Sequence, residues 1–232
     1  MPPREPFKFL DAYTKEDAEI FFGRKTEIEE LYNRVFATTH LLVYGPSGTG
    51  KTSLIQCGLA NRFEESDWLP IFIRYGENIF TSLEREIARL AVTPVPPGHP
   101  LDKTLQSLYL DYFKPIYLIF DQFEELFIFG SADERQRLAQ TLASLENVPV
   151  ELKILFVIRE EYLAELTALE RYLPDLFRNR LRVERLGHVE LLRAIEGPCD
   201  VCGIGIEAGL AERILERLGL GRAGTVELTY LQ

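Results

Sequence analysis

The sequence predicts an α/β protein whose mainly parallel sheet is flanked by helices. Short apolar runs alternate along the chain with segments that keep the i, i+3, i+4 spacing of an amphipathic helix. Two runs, IYLIF at 116–120 and KILFVI at 153–158, are apolar almost throughout, which is typical of central strands covered on both faces. A glycine-rich loop at 45–52 joins a third run to a helical segment.

Five runs account for the predicted sheet: LLVY (41–44), LPIFIRY (69–75), IYLIF (116–120), KILFVI (153–158) and RLRVERL (180–186). Apolar stripes between them predict helices around residues 28–35, 54–63, 83–91, 105–112 and 138–145. The stretch TPVPPGHP at 93–100 is predicted to be a loop, because a helix interior excludes its prolines.

The strand pattern stops after residue 187. HVELLRAIEG and GLAERILERLGL then predict short amphipathic helices. We therefore expect an α/β domain over 1–187 and a small helical lid domain over 188–232. The final VELTYLQ has the pattern of a further helix that has just begun. The lid is therefore expected to be truncated, with the chain either a fragment of a longer protein or a short relative of one.

The composition of the chain bounds its class and its partners. It has 232 residues, of which 46% are hydrophobic and 27% are charged, as in an ordinary globular protein. No apolar run approaches the ~20 residues that span a bilayer, and the start carries no secretory signal, so we expect a cytoplasmic protein with no membrane contact. The net charge of −10 disfavours nucleic acid as a partner.

The cysteines do not predict a disulfide framework or a metal site. The chain has only Cys57, Cys199 and Cys202, an odd and sparse number. The last two form a CxxC, but a structural zinc site needs four ligands and there is no second pair. We expect both thiols to pack as small apolar side chains.

GPSGTGKT at 45–52 matches the phosphate-binding pattern G-x-x-x-x-G-K-[ST] in full. A predicted strand precedes it and a helix follows, which disfavours a glycine-rich turn that binds nothing. Its backbone N–H groups can face phosphate oxygens, Lys51 can reach the β- and γ-phosphates, and the Thr52 hydroxyl can ligate Mg²⁺. The expected cofactor-binding residues of this P-loop are Gly45, Pro46, Ser47, Gly48, Thr49, Gly50, Lys51, Thr52 and Ser53.

A segment rich in carboxylates, DQFEE, follows IYLIF. Asp121 ends that strand and is expected beside the P-loop, holding Mg²⁺ directly or through water. Gln122 follows it, so the Asp-Glu pair common at such sites is missing. If a helix begins after Asp121, position +3 (Glu124) lies on the same face as Asp121 and position +4 (Glu125) is nearby, which favours Glu124 over Glu125 as the base that polarises water. Glu125 is expected to be solvated.

Arg159 ends the strand KILFVI. An arginine that leaves a central strand can meet an anion there, so Arg159 is a candidate sensor of the γ-phosphate. The alternative is a surface ion pair with Glu160 or Glu161.

Four segments together resemble the successive motifs of the STAND class of P-loop ATPases: FFGRKTEIEELYNRV, LLVYGPSGTGKTSLI, IYLIFDQFEELF and ILFVIREEYLAEL. The likeness is to the bacterial novel STAND branch, which is related to NACHT and AAA+ modules, and it runs from PFKFLDAY to LTYLQ. FFGR and DQFEELF are its more specific parts. The resemblance implies a parallel-sheet P-loop NTPase core followed by a small helical lobe, with ATP and Mg²⁺ as ligands.

The resemblance implies a role for the segment before the P-loop. Phe22, Gly23 and Arg24, preceded by Phe21, match the N-terminal hhGR box, which in this class passes near the adenine. The alternative is a hydrophobic staple on the helix that begins near Lys25.

The resemblance also bears on the C-terminal third. LFRNRLRVERL is similar to the segment of AAA+ relatives that holds an arginine finger, so Arg178 or Arg180 can reach a neighbour's nucleotide, with a solvated basic face as the alternative. In ELTYLQ, Thr229 replaces the proline of this branch's L-P-x-L-Q, which puts the lid contact in doubt. The sensor or effector domains that STAND proteins normally carry are not found in this chain.

The leading hypothesis is an ATP-driven switch that assembles with ATP bound and is reset by slow hydrolysis, with Glu124, Lys51 and Arg159 as catalytic residues. Four alternatives stay open: a nucleotide-binding scaffold without turnover, a small-molecule kinase with an arginine-rich lid, a GTPase suggested by TKED at 14–17, and a DNA-loading AAA+ relative.

Overall fold

A computed structural model describes residues 5–96 and 98–220 of the chain. They form two compact units. The first, the P-loop unit, contains the described parts of Met1–Tyr32, Gly45–Arg62 and Val183–Gln232. The second, the sheet unit, contains Asn33–Tyr44 and Phe63–Arg182. The domain boundary that the sequence predicts at residue 187 stays a prediction.

Five strands form one sheet in the order β2-β3-β4-β1-β5. They are β1 (His40–Gly45), β2 (Leu69–Ile73), β3 (Ile116–Phe120), β4 (Leu152–Arg159) and β5 (Arg180–Arg182). The pairs β2–β3, β3–β4 and β1–β5 are parallel, which confirms the predicted α/β class. β3 is buried along its whole length, as its unbroken apolar sequence predicts for an interior strand.

The fifth strand is shorter than the sequence predicts. The apolar pattern extends to residue 186, whereas β5 ends at Arg182. It lies at the edge of the sheet and pairs only with β1, with Tyr44 opposite Arg182 as the last aligned pair. β1 itself ends one residue later at Gly45, so residues 184–186 have no strand residue to pair with.

The α-helices are α1 (Lys25–Val35), α2 (Lys51–Ser53), α3 (Ile79–Leu90), α4 (Leu101–Tyr112), α5 (Glu125–Phe129), α6 (Ala132–Ser144), α7 (Thr167–Glu170), α8 (His188–Val201) and α9 (Leu210–Leu215). Side-chain caps begin two of them: Asn78 accepts a hydrogen bond from Thr81 N at the start of α3, and Ser131 accepts one from Glu134 N at the start of α6. Every helix predicted from an apolar stripe is present.

The sheet unit has one large core, formed where helices cover the sheet. The apolar stripes of α3, α4 and α6 supply Leu83, Leu105 and Leu138, which pack with the strand residues Phe120 and Phe156. The two phenylalanine rings stack with centroids 5.6 Å apart. This packing fixes the carboxyl ends of β3 and β4, from which the predicted acidic and basic residues emerge.

The P-loop unit has smaller cores. One of them joins α8, α9 and the segment just before α8, and consists of Leu186, Leu191, Ile195, Ala211 and Leu215. The helix after the P-loop is irregular: α2 continues as a π-helix over Leu54–Leu59 and then as a 3₁₀ turn over Ala60–Arg62. A side chain at Gly58 would lie 2.6 Å from Ile28 Cγ1, so glycine permits close contact between this helix and α1.

Within residues 5–96 and 98–220, no helix is both long and apolar enough to cross a membrane. The predicted loop at 93–100 is non-helical wherever it is described. ELTYLQ and Thr229 lie outside the described residues.

Candidate functional site

The P-loop leaves β1 at a position that only glycine can fill. Gly45 has φ +155°, and a Cβ there would lie 2.3 Å from the carbonyl oxygen of Val183. Gly50 (φ +79°) precedes the first helical residue, Lys51. The strand–loop–helix order that the motif predicts is therefore present, and the loop is pinned at its first residue by close backbone approach.

Lys51 bridges the loop through its own side chain. Its Nζ donates to the carbonyl oxygens of Gly45 (2.9 Å) and Pro46 (2.8 Å). The hydroxyl of Thr49 donates to the Pro46 carbonyl at 3.0 Å. Ser53 is buried, and its hydroxyl accepts a hydrogen bond from Tyr13 N at 3.1 Å, so this hydroxyl is used to hold the N-terminal segment.

Arg24 anchors the P-loop from outside. Its side chain is only 2% exposed, and Nη2 donates to the carbonyl oxygens of Thr49 (2.7 Å) and Glu184 (2.8 Å), while Nη1 forms an ion pair with Glu27. Burial lowers the pKa of Arg24, and the charge of Glu27 opposes that shift. The guanidinium thus fixes the loop to two other segments, a role that the sequence did not suggest.

A cavity of about 680 Å³ lies within the P-loop unit, in the size range of small-molecule sites. Its lining includes Phe22, Gly23, Arg24, Leu186 and Glu190. A Cβ on Gly23 (φ +85°) would lie 2.8 Å from the carbonyl oxygen of Glu190, so the hhGR segment runs close against α8. Among the described residues, Nε of Arg24 is a buried donor without a hydrogen-bond partner.

In the sheet unit, Asp121 lies at the carboxyl end of β3 and is 3% exposed. Its backbone N donates to the carbonyl oxygen of Ile73 at 2.9 Å. Arg74 donates to its Oδ2 from both Nη2 (2.6 Å) and Nε (3.0 Å). The sequence predicted Asp121 at a strand end but missed Arg74; the charged residue that directly follows the apolar run of β2 was the available indication.

The segment after Asp121 is a turn, so the helix on which the choice of Glu124 was conditional does not begin directly after Asp121. Gln122 has φ +54°, a left-handed conformation that an α-helix excludes, and α5 begins only at Glu125. Phe123 N donates to the carbonyl oxygen of Val157 at 2.8 Å, and its ring is buried. The Gln-Phe pair therefore makes a turn and anchors it to β4, and Glu124 is buried as a result.

Glu124 is joined to Arg159 at the end of β4. Arg159 Nε lies 2.9 Å from Glu124 Oε1, and Arg159 N donates to Oε2 at 3.2 Å. The partner of Arg159 thus differs from the alternative surface pair with Glu160 or Glu161, and Glu160 pairs with Arg182 at 2.9 Å. The sheet unit thus brings together two of its predicted site residues, Glu124 and Arg159.

Glu125 is half-buried, whereas the sequence predicted a solvated side chain. Burial raises its pKa, and so do the charges of Glu124 and, more weakly, Asp121; Arg74 and Arg159 act in the opposite direction. Three carboxylates and two guanidinium groups therefore interact at the carboxyl ends of β2, β3 and β4.

The candidate arginine finger and the two CxxC cysteines are also among the described residues. Arg178 and Arg180 are exposed, and Arg178 forms an ion pair with Asp175 at 3.3 Å. Cys199 is buried in α8 and Cys202 is half-buried just after it, both as free thiols. Burial raises the pKa of the Cys199 thiol.

Comparison with known proteins adds a family and a fold. The family described as Novel STAND NTPase 1 matches residues 6–228. No curated protein matches the sequence.

Three solved structures are similar to the chain. The Walker-type ATPase PABY2304 of Pyrococcus abyssi has a TM-score of 0.64 and 16% identity over 90% of this chain and 66% of its own. The Aeropyrum pernix ORC2 protein, in ADPNP and ADP complexes, has a TM-score of 0.60 and 17% identity over 99% and 70%. The ORC1 protein of the same organism, in complex with DNA, has a TM-score of 0.61 and 16% identity over 92% and 58%.

These likenesses confirm the predicted AAA+-like P-loop fold. The chain spans between 58% and 70% of the length of these three structures.

Proposed function

This chain belongs to the Novel STAND NTPase 1 family, and on that premise we propose that it is the ATP-binding switch module of a STAND-type signalling or defence ATPase. In this proposal the chain hydrolyses ATP slowly and assembles with further copies of itself when ATP is bound. The sensor and effector functions would belong to other domains.

The observation that carries the proposal is the arrangement of the P-loop around Lys51. The ammonium group already bridges two carbonyl oxygens of the loop, those of Gly45 and Pro46. Phosphate oxygens are charged and therefore accept stronger hydrogen bonds than neutral carbonyls. Lys51 can thus exchange its loop contacts for the β- and γ-phosphates, while Arg24 holds the loop in place through the Thr49 carbonyl.

Magnesium is proposed to accompany the nucleotide, with Thr52 and Asp121 as its protein ligands. Both supply oxygen donors, which Mg²⁺ prefers. In the described part of the chain, no group of three or more His, Cys, Asp or Glu side chains can hold a metal by itself. That suits an ion that takes its other ligands from phosphates and water. When bound, Mg²⁺ neutralises charge on the phosphate oxygens.

Glu124 is proposed to act as the base that orients the attacking water. Arg159 engages both of its oxygens: the guanidinium forms an ion pair with Oε1, and the backbone N donates a hydrogen bond to Oε2. Turnover then requires the Arg159 side chain to release Oε1, a step that would couple hydrolysis to the γ-phosphate that Arg159 is proposed to sense. This double engagement supports a slow rate.

The cavity beside the hhGR segment supports the proposed position of the nucleoside. Phe22, Gly23 and Arg24 line it, and its volume of about 680 Å³ is sufficient for a purine and its ribose. Arg24 itself is proposed to contribute by holding the P-loop.

A scaffold that binds nucleotide without turnover is the second candidate. In such a scaffold the Glu124–Arg159 pair would persist with nucleotide bound, so Glu124 would not act on a water molecule. DNA binding is not part of either proposal. The net charge of −10 disfavours it, and the DNA complex belongs to ORC1, of which this chain covers 58%.

The first experiment is a titration of a fluorescent ATP analogue into the wild-type chain, Lys51→Ala and Lys103→Ala. Lys51→Ala should bind at least about 100-fold more weakly, because it loses the only cation in the loop. Lys103→Ala removes the same charge from an exposed position and should bind like the wild type. Tight binding by Lys51→Ala would refute the proposal. If GTP displaced the fluorescent analogue as well as ATP does, the proposed preference for ATP would be refuted.

The second experiment separates the switch from the scaffold. Light scattering measures mass with ATP, with ADP and without nucleotide, while phosphate release is followed in the same samples. A larger mass with ATP alone, together with slow release, supports the switch. Binding without phosphate release in the assembled state supports the scaffold instead. Formation of ADP and a phosphorylated acceptor, without free phosphate, would indicate a kinase.

A further inference from the structure

Arg74 is placed beside Asp121 by the register of the sheet. β2 and β3 are parallel, and Ile73 lies opposite Phe120 as the last aligned pair of the two strands. Arg74 and Asp121 are the next residues of each chain segment, so they leave the sheet side by side. The pairing of the two strands therefore places the backbones of these two residues next to each other.

The contact occupies one carboxylate oxygen twice. Nη2 and Nε of Arg74 both donate to Oδ2 of Asp121, at 2.6 and 3.0 Å. The carboxylate is 3% exposed, whereas the arginine side chain is 49% exposed. The buried partner cannot move away, but the arginine can swing into solvent, where its guanidinium is well hydrated.

A metal ion and this arginine compete for the same group. An oxygen that accepts two hydrogen bonds from a cation has less electron density to give to Mg²⁺, and two cations on one carboxylate repel each other. We propose that Arg74 is a positioning residue that acts as the resident counter-ion of Asp121 and competes with Mg²⁺ for it. This inference rests on the proposed function, because it assumes that Asp121 serves the metal.

Arg74 stabilises the site when no metal is bound. Asp121 is a buried carboxylate at the edge of a group that also holds Glu124 and Glu125. Without a cation, these three acidic groups would repel one another and pay for desolvation. Arg74 stabilises Asp121 until the metal replaces it, so the chain discriminates between nucleotide that arrives with Mg²⁺ and nucleotide that arrives without it.

The test measures the Mg²⁺ concentration that half-saturates binding of a fluorescent ATP analogue. Arg74→Ala should need about five-fold less Mg²⁺ than the wild type, since a competing half-exposed cation is gone. Arg74→Gln, which keeps a neutral donor and part of the side-chain length, should shift in the same direction. Arg85→Ala is the matched control, because Arg85 is 54% exposed and paired with Glu86 in the same unit. An unchanged or increased requirement in Arg74→Ala or Arg74→Gln would overturn the inference.

A second measurement uses the wild-type chain, in case both variants fold poorly. Phenylglyoxal modifies accessible arginines, and mass spectrometry reports the extent at each site. Arg74 should react about two-fold or more faster with Mg²⁺ and an ATP analogue than with the analogue alone, because release from Asp121 frees the guanidinium. Arg85 should react equally in both. Equal rates at Arg74 would overturn the inference.

The proposed function and the role of Arg74 can be refuted separately. A wild-type chain that binds no nucleotide at any Mg²⁺ concentration refutes the proposed function and, with it, this inference. A wild-type chain that binds ATP, with a Mg²⁺ requirement that Arg74 does not alter, refutes only the role of Arg74.

Discussion

Glu124 is held twice by Arg159: the guanidinium Nε lies 2.9 Å from Oε1, and the backbone N donates to Oε2 at 3.2 Å. The carboxylate is buried, whereas half of the arginine side chain faces solvent. Asp121 is likewise paired with an arginine, Arg74, which follows β2 on the other side of β3. In each case a fixed acidic group is paired with an arginine that can leave, which suits a site that changes state with its ligand.

Replacement of Glu124 by Gln should stop hydrolysis and leave ATP binding unchanged. The amide keeps the shape of the side chain and one acceptor for Arg159, but it cannot take a proton. Phosphate release in a single turnover should fall by about 100-fold or more. Glu161→Gln, at an exposed position close by in sequence, should release phosphate like the wild type. Undiminished release by a folded Glu124→Gln chain would exclude Glu124 as the base.

Substitution of Gly45 by Ala should destabilise the chain and abolish nucleotide binding. The new Cβ would lie 2.3 Å from the Val183 carbonyl oxygen, at a φ of +155°. We expect the free energy of unfolding to fall by about 2 kcal/mol or more, measured by urea denaturation. Gly205→Ala is the control, because a Cβ there meets nothing within 4 Å and its φ is ordinary. Equal stability of the two variants would contradict the steric account.

Replacement of Arg24 by Ala should loosen the P-loop. It removes the donor to the Thr49 and Glu184 carbonyls and leaves Glu27 without its partner. The loss of stability should be about 2–4 kcal/mol, as for a buried charged donor. Arg62→Ala breaks an exposed pair with Glu29 and should cost less than about 1 kcal/mol. If Arg24→Ala folds and binds ATP with wild-type affinity in calorimetry, the anchoring role is wrong.

Glu125 should make the chain less stable as pH rises. Burial raises its pKa in the folded chain above the ordinary 4.5, so the folded state holds the proton more tightly than the unfolded state. Stability is therefore lost as pH increases from about 4.5 through the folded pKa. Glu125→Gln should raise the melting temperature at pH 7 and have a smaller effect at pH 4. Glu165→Gln makes the same change at an exposed site and is the matched control. An effect of Glu125→Gln that does not depend on pH would refute this account.

Most of the fold could be predicted because its elements carry strong local patterns. β3 has the predicted bounds, since five consecutive apolar residues followed by an aspartate permit little else. The edge strand β5 was predicted four residues too long, because its apolar pattern continues after β1 has ended. The turn after Asp121 was missed for a similar reason: a left-handed Gln122 depends on the hydrogen bond between Phe123 and Val157, which are far apart in sequence.

The sequence by itself determined the phosphate loop, because the spacing of its glycines and Lys51 is a local requirement of the backbone that wraps a phosphate. It also determined Asp121, since a buried strand delivers the residue that follows it to a sheet edge. Only the tertiary structure decided the electrostatic state of the acidic groups. Arg74 and Arg159 reach Asp121 and Glu124 across strand pairings that bring together residues 47 and 35 positions apart. Coulombic interaction depends on distance in space, so no local pattern encodes which charge will neutralise which.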